Sequence, residues 1–326
     1  MIKIAERLRP FSHTPGAACI IPGTCLEIEA FPTLLKVANT EIKLKLTGPV
    51  KDFTLEQDLE KDCVRVYGKA KEGFFRLKIE ATDAGLDIAV EKGPLKSHHI
   101  PLETQYVHKH PCERLSLGNH KAQDWDLVQK RCDLKEFLPV LFALGQKIPL
   151  IPPQKPSGTA RLLELPSDRS DLEWALEALF KAAFTKILIP RLIDDQHHGL
   201  VSDEPVQGNR FYLVQEGAKL VRSLFFRQNE RRIAFLPNLP ISLDCGRMVG
   251  LQAPGIGEID FEWSKKVLRQ VAIRASTPGE VILELQSEIK SLRVRKSMKD
   301  KGRRLKSTDP VLLEPGQTVL LDRFQK

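Results

Sequence analysis

The feature that most constrains the fold is an alternation of apolar and charged residues between positions 19 and 90. It runs through Cys25-Leu-Glu-Ile-Glu-Ala, Glu41-Ile-Lys-Leu-Lys-Leu, Cys63-Val-Arg-Val-Tyr and Phe75-Arg-Leu-Lys-Ile-Glu, with turn-forming residues between these runs. Because successive side chains of a strand point to opposite faces, each run places one face on a core and the other in water. Several short strands at this spacing predict an N-terminal antiparallel β-sandwich.

A helical period replaces the alternation after position 119. Helices are predicted around Trp125 and over residues 134–145, 171–186 and 212–226. The signal is clearest at 171–186, where Ser170 is a suitable N-cap and Glu173 completes a capping box. One apolar stripe of that helix is predicted to be buried, and it comprises Leu172, Ala175, Leu176, Leu179, Phe180 and Ala183.

Strand signals return near the C-terminus. They cover residues 259–263, 267–274, 280–285 and 291–295, and Pro315-Gly316 between two apolar runs predicts a final hairpin. The chain is therefore predicted to be an α+β protein in three parts. These are an N-terminal β domain (1–110), a small helical middle region (111–240) and a C-terminal β-sandwich-like domain (241–326).

Composition favours a folded cytoplasmic protein. Hydrophobic residues make up 42% of the chain and charged residues 28%. We expect no membrane partner, because no apolar run is long enough to span a bilayer and residues 1–10 lack the apolar core of a secretion signal. The six cysteines form no C-x-x-C pair and no zinc-like spacing, so we expect free thiols and neither a metal nor a cofactor. The oligomeric state is left open.

Positive charge is concentrated in one segment. Residues 264–306 hold thirteen Lys and Arg residues against four acidic ones, and most of the excess lies in residues 290–306. Residues 296–306 show neither a strand nor a helix period, which predicts a mobile loop. A nucleic-acid partner is disfavoured because the segment carries no interleaved aromatic residues. A sheet edge protected by charge is an equally good interpretation.

Polar residues surround the first predicted helix and form a candidate sugar site. Glu113, His120, Asp124 and Trp125 bring carboxylates, an imidazole and an indole into one short stretch. Sugar faces stack on aromatic rings while their hydroxyl groups require fixed polar partners, which favours a carbohydrate ligand. In the alternative interpretation Trp125 belongs to the core, and His120 and Asp124 merely begin the helix.

A second polar cluster follows the hydrophobic segment after position 184. It contains Asp194, Asp195, His197 and His198, residue types suited to acid–base chemistry, although their spacing matches no metal motif. A solvated turn is the alternative interpretation. We predict that this cluster and the Glu113–Trp125 cluster face each other across one pocket, since both adjoin helices of one small layer.

The C-terminal part resembles the end of a six-hairpin glycosidase of the α-L-fucosidase type. The resemblance rests on the order of Glu216-Gly-Ala-Lys-Leu-Val-Arg, Arg232-Ile-Ala-Phe-Leu-Pro-Asn-Leu-Pro, Gly246-Arg-Met-Val-Gly-Leu, Gly257-Glu-Ile-Asp-Phe-Glu-Trp-Ser and Val271-Ala-Ile-Arg. It covers about 100 residues and implies a last barrel helix that leads into a β-sandwich. The barrel of that clan needs twelve helices, and only about four are predicted here. No catalytic residue therefore carries over by motif.

These observations favour a carbohydrate-active or carbohydrate-binding protein related to glycoside hydrolases, with reduced or lost catalysis. Asp124, Asp194 and Asp195 are the candidate acids and bases, because glycoside hydrolysis requires two carboxylates that flank the bond. Trp125, His120, Glu113, His197 and His198 are the candidate substrate-binding residues. Two alternatives remain open: a non-enzymatic scaffold, and a nucleic-acid binder that acts through residues 290–306.

Overall fold

The computed structural model describes residues 2–5, 7–102, 112–119, 121–153, 158–164, 166, 168–184 and 208–326. Its N-terminal region holds ten strands: β1 (Phe11–Ser12), β2 (Ala17–Ile20), β3 (Glu27–Phe31), β4 (Leu34–Val37), β5 (Thr40–Lys43), β6 (Lys51–Asp58), β7 (Cys63–Ala70), β8 (Gly73–Thr82), β9 (Gly85–Lys92) and β10 (His98–Pro101). They form two antiparallel sheets, with strand orders β2-β3-β4-β5 and β1-β6-β7-β8-β9-β10. The predicted alternation is confirmed, since β8 buries Phe75, Leu77 and Ile79 and leaves Arg76 and Lys78 partly exposed.

The helical middle region begins with one short strand, β11 (Arg114–Ser116). Its helices are α1 (Trp125–Arg131), α2 (Leu134–Gly145), a 3-10 helix (Gly158–Leu163), α3 (Arg169–Phe184) and α4 (Arg210–Phe225). Each α-helix lies within a few residues of its predicted position, and α2 continues through Pro139, beyond its first turn. Helices α2 and α4 pack so closely at Gly145 that an added Cβ would lie 2.3 Å from the Val214 carbonyl oxygen.

The predicted stripe of α3 is confirmed as core, except that Ala175 is only partly buried. Leu176, Leu179, Phe180 and Ala183 are fully buried. The ring of Phe180 stacks on Phe137 of α2 with centroids 3.8 Å apart. Hydrophobic burial of this kind stabilises a fold by roughly 1.5–3 kcal/mol for each large side chain, so α3 is held by packing rather than by helix propensity.

The C-terminal strands are β12 (Phe226–Asn229), β13 (Arg232–Phe235), β14 (Gly246–Ala253), β15 (Gly257–Ser264), β16 (Val267–Ala275), β17 (Gly279–Glu284), β18 (Ser291–Arg295), β19 (Arg303–Lys306), β20 (Val311–Leu313) and β21 (Thr318–Gln325). They form a seven-stranded sheet in the order β11-β14-β15-β16-β21-β18-β19 and a four-stranded sheet in the order β12-β13-β17-β20. The molecule is thus an α+β protein of β-sandwich-like regions, as predicted. Because β11 pairs with β14, the middle region supplies an edge strand to the C-terminal sheet.

Two local predictions for the C-terminal region are wrong. The turn at Pro315-Gly316 does not close a hairpin, because β20 pairs with β17 of the small sheet while β21 pairs with β16 and β18 of the large one. The basic segment is not all loop either, because residues 303–306 form β19. There Leu305 lies opposite Leu292 and packs on the core. This single apolar contact anchors the strand, and the surrounding cations give no sequence signal for it.

No helix in the described part of the chain has the length and apolar character needed to cross a membrane.

Candidate functional site

A cavity of about 480 Å³ opens where the three sequence regions meet. Among the described residues, its walls come from the N-terminal segment (3–5, 7 and 8), the turn between β6 and β7 (59, 60 and 62), the segment around β11 (112–117, 119 and 121–123), helix α2, and Arg247 of β14. We call it the interface cavity. Its described wall residues include four acidic side chains, Glu60, Asp62, Glu113 and Glu136. The partner of each decides what chemistry the cavity supports.

Glu60 and Arg114 fasten the N-terminal segment over the cavity. The Glu60 Oε1 atom accepts a hydrogen bond of 2.6 Å from Nη2 of Arg114 and one of 3.3 Å from the backbone N–H of Leu8. Arg114 also donates to the carbonyl oxygens of Ile4 and Ala5, each at 3.2 Å. Charge-assisted bonds of this kind fix both groups in place, so the Glu60 carboxylate is held in one orientation through its Oε1 atom.

Lys147 and Asp62 form a second, more deeply buried ion pair. The side chain of Lys147 is only 9% exposed and that of Asp62 17% exposed. Burial alone would lower the pKa of Lys147, but the adjacent Cys112 and Asp62 reverse this effect and raise it above its usual value. Lys147 therefore remains a cation, and it pairs with the Asp62 carboxylate inside the cavity.

Glu136 is the most buried carboxylate of the interface cavity, with a side chain 2% exposed. Oε2 accepts a hydrogen bond of 2.8 Å from Nε of Arg131, and Oε1 accepts one of 2.8 Å from the amide of Asn119. Burial would raise the pKa of Glu136, but the bonds from Arg131 and Asn119 outweigh burial and lower it. This carboxylate is thus a fixed hydrogen-bond acceptor rather than a proton donor.

Glu113, which the sequence nominated, joins the middle region to the C-terminal sheet. Its carboxylate accepts two bonds from Arg222 of α4, at 2.7 and 2.9 Å, and a third of 2.9 Å from the backbone N–H of Gln252 in β14. The Arg222 guanidinium also lies 4.8 Å from the ring centre of Phe226. Such bidentate geometry is typical of a structural ion pair, which here links the segment before β11 to α4 and β14.

Asp124 and Trp125 occupy structural positions at the start of α1. Asp124 is the N-cap, and its Oδ1 accepts from the backbone N–H of Asp126 at 3.1 Å. Trp125 is fully buried against Phe180 and Phe184, with ring centroids 5.9 and 5.4 Å apart. This burial matches the core interpretation, because a sugar platform requires an exposed ring face.

Asp126 is a carboxylate that the sequence reasoning missed. It accepts hydrogen bonds from Ser12 at 3.5 Å and Thr14 at 3.3 Å. Burial, and then the charge of Asp124, raise its pKa. The short spacing of Asp124 and Asp126 was the available signal, but neither residue lines the interface cavity.

The other nominated residues lie outside the described part of the chain. They are His120, Asp194, Asp195, His197 and His198. The prediction that the two polar clusters share a pocket therefore stays a prediction. Among the described residues no group of three or more His, Cys, Asp or Glu side chains is placed to hold a metal ion.

The sequence profile of the glycoside hydrolase family 95 C-terminal domain matches residues 228–313. No curated protein matches the chain. The matched stretch begins in β12 and ends in β20, so it spans most of the C-terminal β region and includes Arg247 of the interface cavity. The C-terminal region is therefore related to glycoside hydrolases.

Proposed function

We propose that this protein binds carbohydrate and that the interface cavity is its binding site. The match of residues 228–313 to a glycoside hydrolase C-terminal domain is the observation that carries the proposal. The volume of about 480 Å³ falls in the range of roughly 300–1,000 Å³ that is usual for small-ligand sites. The cavity also lies against Arg247 of β14, inside the stretch related to glycoside hydrolases, which supports the proposal.

The polar groups of the cavity suit sugar hydroxyl groups. A sugar hydroxyl both donates and accepts, so it is recognised best by polar groups whose orientation is already fixed. The Glu60–Arg114 pair holds a carboxylate in this way, and because both of its bonds go to Oε1, Oε2 of Glu60 keeps lone pairs for a ligand. Lys3 and Arg7 add exposed side chains at the rim.

The charge state of Glu136 favours binding over hydrolysis at this site. Glycoside hydrolysis needs one carboxyl group that holds a proton beside another that is ionised. The bonds from Arg131 and Asn119 lower the pKa of Glu136, the most buried carboxyl group of the cavity, so this group does not hold a proton at neutral pH. Glu136 is therefore not the protonated acid that hydrolysis would require.

The test fills the cavity without breaking an ion pair. Ala122 is exposed and lines the cavity, so Ala122→Trp places a large ring in it. Ala84, exposed in the turn between β8 and β9, gives the matched control Ala84→Trp. Isothermal titration calorimetry against a panel of neutral oligosaccharides is expected to show binding that Ala122→Trp weakens at least about tenfold, or about 1.4 kcal/mol.

Ala84→Trp should bind as the unaltered protein does. An equal loss in both variants, or no binding to any member of the panel, would overturn the proposal. Measuring the release of reducing sugar in the same samples separates binding from hydrolysis.

A further inference from the structure

The β18–β19 hairpin carries an unusual charge. Residues 290–306 contain nine Lys and Arg residues and one acidic residue, Asp300, so their excess equals the +8 net charge of the whole chain. The hairpin is the edge of the seven-stranded sheet, where β19 has β18 as its neighbour. The charge of the chain is therefore concentrated on one exposed edge.

The pairing of β18 with β19 determines on which face of the hairpin each cation lies. Leu292 and Leu305 lie opposite each other and pack against the core. Because strand side chains alternate, Arg304 and Lys306 project from the opposite face, about 7 Å apart along the strand. Arg293 lies directly across from Arg304 on that face, and like charges in such a pair repel.

Neighbouring carboxylates neutralise only part of this charge. Asp322 pairs with Arg293 at 2.7 Å and with Arg295 at 2.5 Å, and Glu314 lies 3.6 Å from Lys296. Asp300 instead closes the turn by accepting from the backbone N–H groups of Lys296 and Gly302, each at 2.9 Å. Six cations of the hairpin have no carboxylate partner among the described residues: Lys290, Lys299, Lys301, Arg303, Arg304 and Lys306.

Arg304 is held in position although it has no anion. Its Nε and Nη2 atoms donate to the hydroxyl oxygen of Ser291 at 3.0 and 2.8 Å. A guanidinium has five N–H donors, so this anchoring leaves others free for a ligand. A positioned arginine among unpaired lysines is suited to sulfate, phosphate or carboxylate groups.

We propose that the β18–β19 hairpin is a second binding surface and that its ligand is a polyanionic polysaccharide. Charge complementarity requires a polyanion, and two observations favour a glycan over a nucleic acid. The hairpin lies inside the stretch related to glycoside hydrolases, and residues 290–306 contain no aromatic side chain on which a base could stack. The anionic groups are sulfates or uronate carboxylates, and the test separates these two sources.

The variant removes four exposed cations whose side chains make no hydrogen bond or ion pair among the described residues: Lys299→Gln, Lys301→Gln, Arg303→Gln and Lys306→Gln. A matched control removes four exposed lysines of the N-terminal sheets and their connections: Lys43→Gln, Lys45→Gln, Lys51→Gln and Lys69→Gln. Thermal unfolding checks that both variants are folded. The hairpin variant should unfold at an unchanged or higher temperature, because it loses repulsion and no contact.

The probes are dextran sulfate, polygalacturonate, neutral dextran and a single-stranded oligonucleotide, each at 50 and 200 mM salt. We expect one or both polyanionic glycans to bind and neutral dextran not to bind. The hairpin variant should bind at least about tenfold more weakly at 50 mM salt, and its slope of log K against log salt should fall by about 3 to 4. The control variant should lose less than about threefold.

Three results would overturn the inference. These are no binding of either polyanionic glycan, equal losses in the hairpin and control variants, or tighter binding of the oligonucleotide than of both glycans. The hairpin contributes no residue to the interface cavity. Ala122→Trp should therefore leave polyanion binding unchanged, so this inference and the proposed cavity function fail separately.

Discussion

Glu136→Gln tests whether the buried carboxylate of the interface cavity is a structural anchor. The side chain is 2% exposed and accepts from Nε of Arg131 and the amide of Asn119. In glutamine one of these acceptors becomes an NH2 group that faces a donor. Flipping Asn119 does not help, because its Oδ1 already accepts from the backbone N–H of Lys121 at 2.9 Å. In Glu136→Gln two N–H donors therefore face each other, and neither has an acceptor at this position.

The expected cost of Glu136→Gln at pH 7 is about 1.5–3 kcal/mol in the free energy of unfolding, the range for hydrogen bonds to charged groups. Urea unfolding measures it. The control Glu41→Gln removes an exposed pair, Lys36–Glu41, at 3.3 Å with side chains 40% and 56% exposed. It should cost less than about 0.5 kcal/mol. Equal costs for the two variants at pH 7 would refute the assignment.

The stability loss caused by Glu136→Gln is expected to depend on pH. The pKa of Glu136 is lower in the folded protein than its ordinary value, so its ionised form stabilises the fold above the ordinary pKa of about 4.3. This contribution is lost as the pH falls through the folded pKa. The stability difference between the unaltered protein and Glu136→Gln should therefore shrink as acid is added, and a constant difference down to acid unfolding would contradict the cause given.

Three further measurements probe the core, the turn geometry and catalysis. Leu179→Ala should destabilise by about 2–5 kcal/mol, because Leu179 is fully buried; a loss below 0.5 kcal/mol in urea unfolding would show that α3 does not pack as described. Gly257→Ala should destabilise far more than Gly73→Ala. Both glycines have a φ above +120°, but only at Gly257 would a Cβ meet a backbone atom, the Arg274 oxygen at 2.0 Å. If a reducing-sugar assay detects hydrolysis, Asp194→Asn or Asp195→Asn should lower its rate at least about a hundredfold, and unchanged rates would exclude both residues as acid or base.

Local patterns predicted the elements of this fold well. The alternation of β8 and the apolar stripe of α3 depend on side chains a few residues apart, so the sequence carries that information directly. The partners of the strands are not local. Pro315-Gly316 signals a turn equally well whether the chain returns to the same sheet or crosses to another, and only the pairings of β20 and β21 decide between these outcomes.

The candidate site was harder to predict than the fold, for a related reason. Polar residues beside an aromatic ring describe both a sugar site and a capped helix, and the full burial of Trp125 corresponds to the second. The interface cavity depends on contacts between residues far apart in sequence, such as Glu113 with Arg222 and Asp62 with Lys147. A signal did exist at Glu136, an acid that directly precedes the apolar run of residues 137–144 in α2.

The way the three regions are joined explains how the interface cavity forms beside a C-terminal region related to glycoside hydrolases. Strand β11 of the middle region adds to the C-terminal sheet at β14, and Arg114 in that strand reaches the N-terminal segment through Glu60 and two carbonyl oxygens. Each wall of the cavity thus depends on another region for its position. Forming ion pairs between regions costs conformational entropy and desolvation, and this cost is offset only when all three regions are folded together. A ligand that binds there contacts all three regions at once, so its binding should stabilise the whole chain rather than one domain.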